Sequence, residues 1–267
     1  MVPTTNVVII VVVLLTSVLL PVIGWFVVRR RFRVPIVSAL AGAVVFFICY
    51  IVAVFTSMLG AMLIASPIIL TLVLSLRAGL VEEFGRFVAF KWVLKRQNAV
   101  GDALMYGVGH GGMEVILVLT FAMLNNLIFI FMANAGVLDN LIALMPNEAE
   151  SIAATISILA ETHPLLFAAG LFERVVAMTL HIALSVIVFC AVRQKKLVYL
   201  LLAMALHTLL NSCIVLYVMG IVGTWGLEAV LAGVVVVVVL IARQIARRYR
   251  SPVEPDNTLP DVIYTPH

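Results

Sequence analysis

The chain has 267 residues, of which 64% are hydrophobic and only 11% charged, with a formal net charge of +4. A soluble domain of this length cannot hide that much apolar surface, so the bilayer is its solvent. Of the 17 lysines and arginines all but Arg77 and Arg174 cluster at the ends of apolar stretches and form no aromatic-interleaved binding patch, a pattern of topology anchors that excludes a nucleic-acid interface.

Apolar stretches at 5–28, 34–56, 61–80 (running on toward 95), 102–134, 164–192, 197–219 and 221–242 each reach the length that crosses about 30 Å of hydrocarbon. They predict an all-α polytopic membrane protein with about seven transmembrane helices. Residues 1–250 form a single integral membrane domain, and the proline-rich residues 251–267 a disordered cytosolic tail. The first stretch has no basic flank before it and no small-residue cleavage site after it, so it reads as a retained helix. Basic residues fall at 29–33, 86–96, 193–196 and 243–250, whereas 136–163 carries Asp139, Glu148, Glu150 and Glu161 and no Lys or Arg. Positive-inside placement then puts the N-terminus outside and the C-terminus in the cytosol, the parity that seven spans require.

The third stretch turns polar at Arg77, Glu82, Glu83 and Arg86 before its basic end at Lys91, Lys95 and Arg96. Either the membrane helix stops near Arg77 and an amphipathic helix follows on the cytosolic surface, or one long helix carries the charges into the bilayer. The second reading is favoured, because it sets Glu82 and Glu83 about 12–20 Å from the basic boundary, level with three histidines. In the fourth stretch Gly107, Gly109, Gly111 and Gly112 flank His110; such residues allow close helix approach, or leave backbone open to a ligand. Between 146 and 162, Asn147 reads as the N-cap of a short interfacial helix with Ile152, Ile156 and Leu159 on one face, a lid or a plain surface cover. Cys49, Cys190 and Cys213 lie within spans without a CxxC pattern and read as packing residues.

His110, His181 and His207 fall in three different spans, eight to twelve residues from the boundary residues Asp102, Arg193 and Lys196. All three therefore lie about 12–18 Å below the inner surface. Charges at this depth cost on the order of 3 kcal/mol each, so Arg77, Glu82, Glu83, Arg86, Glu114, Glu173 and Arg174 need partners, protons or water. Glu82 and Arg86, four apart, can pair. Three imidazoles match a common zinc ligand set with one position open, which makes Zn2+ the expected cofactor. Glu82 or Glu83 supplies a base for water, and Asn211, one turn after His207, an amide for an oxyanion. Glu114, one turn after His110, is an additional ligand or orients one, with Arg86, Glu173 and Arg174 around it. No HExxH or GxSxG motif is present.

Glu82-Glu83-Phe84-Gly85-Arg86, the run from Gly107 to Glu114, Glu173-Arg174 through His181 and Ser185, and His207 through Asn211 resemble the YhfC family of intramembrane metalloproteases. That family is similar to the superfamily of CAAX prenyl endoproteases and bacteriocin-processing proteins, whose EExxxR, FxxxH and HxxxN/D motifs are met here by Glu82-Glu83 with Arg86 one residue closer, Tyr106 through His110, and His207 through Asn211. The resemblance implies a bacterial cell-membrane protein in which Glu82 or Glu83 with His110 activates water while His207 and Asn211 stabilise the oxyanion. The reading is an intramembrane endopeptidase acting on a membrane-embedded or lipid-anchored protein substrate. Its rivals are a proton- or ion-coupled transporter using the same buried Glu/His set, and a non-catalytic immunity or scaffold protein.

Overall fold

The computed structural model describes residues 2–144 and 146–249; the tail at 251–267 lies outside the described residues. Among the described residues eleven α-helices follow one another: α1 Thr4–Phe32, α2 Val37–Leu63, α3 Pro67–Val88, α4 Val100–Glu114, α5 Phe121–Asn134, α6 Val137–Leu144, α7 Ala149–Glu161, α8 Pro164–Arg193, α9 Leu197–Ser212, α10 Ile214–Val218 and α11 Thr224–Arg247. A π-helical turn, Ala89–Val93, prolongs α3, and another, Val115–Thr120, joins α4 to α5 in one continuous helix. No strand occurs among the described residues.

Six helical spans are long and apolar enough to cross a membrane: Thr4–Phe32, Val37–Leu63, Val100–Asn134, Pro164–Arg193, Leu197–Val218 and Thr224–Arg247. The seventh long helix is α3 with its π turn. Arg77, Glu82, Glu83 and Arg86 set it apart in composition, yet it packs against α2, α8 and α9 like the others. It is the single long helix favoured above. Its start is fixed locally: Ser66 Oγ accepts the Ile69 N–H at 3.4 Å, and Pro67 occupies the first turn, where its missing donor costs nothing. The surface helix α7 begins after Glu148 rather than Asn147, because a 3-10 turn, Pro146–Glu148, precedes it.

The bundle is built around α8. Buried residues make up 72% of its most apolar window, against 17–28% in the other five spans, so the others face lipid and α8 faces protein. At one end Arg193 donates to the carbonyls of Phe90 (3.1 Å), Leu94 (2.6 Å) and Gln97 (2.7 Å), tying the end of α8 to the turn that closes α3. Arg29, Lys91 and Arg247 belong to last turns, and Phe32 and Ala246 both lie beside the start of α4, at Gly101 and Val100. At the opposite end Asn6 Nδ2 donates to the carbonyls of Leu159 (2.8 Å) and Thr162 (2.9 Å). The start of α1 and the end of α7 therefore share a side, as the charge pattern of the loops requires.

Glycines set the distances between helices. A methyl group on Gly109 would overlap the Ala39 backbone of α2, and one on Gly107 the Ile182 backbone of α8, so α4 runs in backbone contact with both neighbours. On the other side of the bundle a Cβ on Gly79 of α3 would come within 2.8 Å of the Met204 carbonyl of α9. The glycine density around His110 is therefore packing, and it is what lets four helices deliver side chains to one point.

Candidate metal and hydrolytic centre

That point is where α3, α4, α8 and α9 converge. Glu82, Glu83 and Arg86 come from α3, His110 and Glu114 from α4, Glu173, Arg174 and His181 from α8, and His207 and Asn211 from α9. The ring centroids of His110 and His181 are 4.7 Å apart and those of His181 and His207 5.2 Å. Phe46 of α2 closes the lipid side, edge-on to His110 at 5.1 Å. Both π-helical turns follow immediately on site-bearing stretches, one after Arg86 and one after Glu114; such turns re-aim the side chains beside them.

The two adjacent glutamates have different partners. Glu83 is fully buried and accepts from the Arg86 guanidinium through both oxygens. Arg86 thus pairs with Glu83 and not with Glu82, contrary to the four-residue spacing, because Glu83 turns inward beneath it. Held as a carboxylate, Glu83 accepts a second bond from His207 Nδ1, at 2.8 Å. His207 then donates from Nδ1, which leaves Nε2 as the ring atom available to a ligand. Glu82 lines the cavity, and its Oε2 lies 3.2 Å from His110 Nε2.

His181 has a partner at each nitrogen, a hydrogen bond at one and an ion-pair contact at the other. Arg86 Nη2 donates to its Nδ1 at 2.9 Å, which leaves the proton on Nε2, 2.8 Å from Glu114 Oε2. Glu114 also pairs with Arg174, which pairs in turn with Glu173. The alignment of Arg174 with His181 on one face of α8 thus becomes a bridge through Glu114. Arg77 stands aside: its Nε has no hydrogen-bond partner among the described residues.

A cavity of about 80 Å³ is lined by Glu82, Glu114, Glu173, Arg174, His181, His207 and Asn211 with Ala177, Leu180, Leu210, Ile214 and Leu231. That volume holds two or three waters, at roughly 30 Å³ each. Donor atoms of Glu82, His181 and His207 lie within 4.8 Å of one another and could hold a metal ion. The three imidazoles grouped by depth are thus neighbours, but the donor group has Glu82 in place of His110, and His110 stands behind Glu82. Donor type and spacing fit a metal with two nitrogen ligands and one carboxylate, and His207 is already oriented for one. A metal on His181 and the Arg86 hydrogen bond to the same ring exclude each other. Sequence reasoning passed over Glu228 of α11, which is 3% exposed with Oε2 unpartnered. A carboxylate one turn inside the last apolar helix was its signal.

The fold and this centre define a polytopic helical membrane protein with a buried histidine–carboxylate cluster. A family model described as YhfC intramembrane metalloprotease matches residues 16–232, and the chain belongs to that family. It is 32% identical over 154 residues to the protein called Uncharacterized membrane protein YhfC of Bacillus subtilis (strain 168), over 55% of this chain and 57% of that relative. The match spans little more than half the relative's length. No solved structure matches the chain. It is an integral protein of a bacterial cell membrane, and the family description implies a metal, for which the His/Glu group is a possible site.

Proposed function

We propose that the chain is an intramembrane endopeptidase that hydrolyses a peptide bond in a membrane-embedded or lipid-anchored protein, with Glu82 as base. The observation that carries this is the division of labour between the paired glutamates: Glu83 is consumed by Arg86 and His207, while Glu82 faces the cavity opposite two imidazoles.

His181 and His207, with one oxygen of Glu82, would hold the metal, for which Zn2+ suits the donors. When bound, it would supply a Lewis acid that polarises the reacting groups. The other chemistry belongs to the chain. As water attacks the scissile carbonyl carbon, its proton passes to the Glu82 Oε2–His110 Nε2 pair. The oxyanion that forms is met by the side-chain amide of Asn211, one turn from His207. The proton held by Glu82 and His110 then goes to the departing amine as the C–N bond breaks. Glu83 positions His207, and Phe46 packs edge-on against His110.

The packing supports hydrolysis over transport. From Arg86 toward the basic end the interior is closed by Phe90, Tyr106, Leu184, Ile187 and Phe189, each no more than 1% exposed. An ion relay strings its acids along a path, whereas here the imidazoles and Glu82 converge on one point. The test is incubation of the purified protein in nanodiscs with single-span reporter peptides in heavy-oxygen water. Hydrolysis places one heavy oxygen in each newly formed carboxyl terminus. Absence of any labelled product across a broad peptide panel would remove the peptidase reading.

A further inference from the structure

Side-chain exposure across the polar cluster rises in one direction. It is 0% at Glu83 and Arg86, 3–4% at His207 and His181, 12–13% at Arg174 and Glu114, and 37% at Glu173. A charged carboxylate more than a third exposed, near the middle of an apolar helix, cannot face acyl chains at tolerable cost. The cavity therefore opens at Glu173, on the side of α8 that meets α11.

Glu228 of α11 lies one turn before Leu231, the residue of that helix that lines the cavity. It lies four residues into its helix, about 6 Å from the end, within electrostatic reach of Glu173 and Arg174. Glu114 and Glu173 share the Arg174 guanidinium through one oxygen each, while Glu114 Oε2 and Glu228 Oε2 make no hydrogen bond, and Glu228 is only 3% exposed. Buried polar groups in native proteins are satisfied, and an orphan calls for a ligand, water or ion. Three carboxylates round one guanidinium leave a place for a second cation.

We propose that Glu114, Glu173 and Glu228 form an acidic vestibule that takes a cationic group, so that the polypeptide admitted to the site presents a lysine or arginine side chain, or a free α-ammonium, at the Glu173 opening. This specificity rests on the reading of the cluster as a peptidase centre. The long aliphatic stem of a basic side chain suits the position, since it can lie along apolar walls while its head reaches the carboxylates. The cation and the bond to be cut then enter together, with the cation toward α11 and the backbone toward His207 and Asn211.

The test is binding, read apart from turnover. The E82Q protein in nanodiscs is titrated with three otherwise identical apolar helical peptides: N-acetylated with one mid-span lysine, N-acetylated with norleucine there, and norleucine with a free α-amine. At least one cationic peptide is expected to bind at least about tenfold more tightly than the acetylated norleucine peptide, the scale of a desolvated charge pair. Preference for the lysine peptide assigns the cation to a side chain, and preference for the free amine alone to a chain terminus. Adding E173Q and E228Q together should abolish the discrimination, and E228K should reverse it in favour of a glutamate-bearing peptide. Where the double variant does not fold, E228Q alone breaks no hydrogen bond and should still reduce the preference. Equal binding of all three peptides, or discrimination that survives the removal of Glu228, would overturn the vestibule. Discrimination in a protein that hydrolyses nothing would retain the vestibule and remove the peptidase.

Discussion

Glu83 Oε1 lies 2.8 Å from His207 Nδ1, and the same carboxylate accepts the Arg86 guanidinium through both oxygens. One buried acid thereby orients an imidazole on α9 and balances the charge of a guanidinium on its own helix. Its neighbour in sequence, Glu82, faces the cavity with a different partner, His110. In the proposed mechanism the two glutamates divide the structural and the chemical role between them.

Glu83→Gln should therefore be a stability variant. It leaves Arg86, which is fully buried, without its counter-charge, and breaking a buried pair costs about 3–5 kcal/mol. Thermal unfolding in detergent should show a large loss of stability for E83Q and for Arg86→Met, and a small one for E82Q. Equal melting of E82Q and E83Q would contradict the assignment.

The glycine contacts predict an ordered series. Gly109→Ala drives a methyl group into the Ala39 backbone and Gly79→Ala one toward the Met204 carbonyl, overpacking worth about 1–3 kcal/mol or more. Gly233→Ala on α11 meets nothing within 4 Å and should stabilise by roughly 0.5–1 kcal/mol, the helix preference of alanine over glycine. Expression and unfolding of the three variants check the order, which fails if G233A is the worst.

Metal content gives a third outcome. The purified protein should carry about one zinc per chain, and His207→Ala and His181→Ala should lose it, since each removes one of few ligands. His110→Ala should keep it, because His110 stands behind Glu82 and outside the donor group. Retention of metal by both ligand variants would move the site elsewhere.

Topology is checked by reporters. With the basic helix ends gathered on one side, a reporter fused after His267 should be cytosolic and one inserted near Glu148 external. Both reporters on one side would contradict seven crossings.

Much of this was legible in the sequence. Length and hydropathy located the long helices, because the bilayer imposes a length on each, although α2 runs on to Leu63, α3 starts only at Pro67 and α11 runs on to Arg247. The depth of the histidines brought His110, His181 and His207 to one layer, since rise per residue is fixed in a helix. Rotation about the helix axis was not legible in the same way. Arg86 can reach Glu82 or Glu83 by spacing alone, and only the packing of α3 against α9 turns Glu83 inward to His207. Glu82 takes the donor position expected of His110 for the same reason: α4 lies tight against α2 through Gly109 and sets His110 one layer back. Glu228 escaped notice because nothing within α11 hints that its neighbours are Glu173 and Arg174 of α8.

The most direct measurement of the central claim is turnover of a cleaved membrane reporter by wild type, E82Q and His110→Ala at matched expression and folded fraction. Glu82 as the base predicts a loss of roughly 10²–10⁴ in rate for E82Q, the worth of positioned general-base catalysis, with retained fold, and a comparable loss for His110→Ala. Full cleavage by E82Q would contradict the assignment of Glu82 and, with it, the hydrolytic account of this centre.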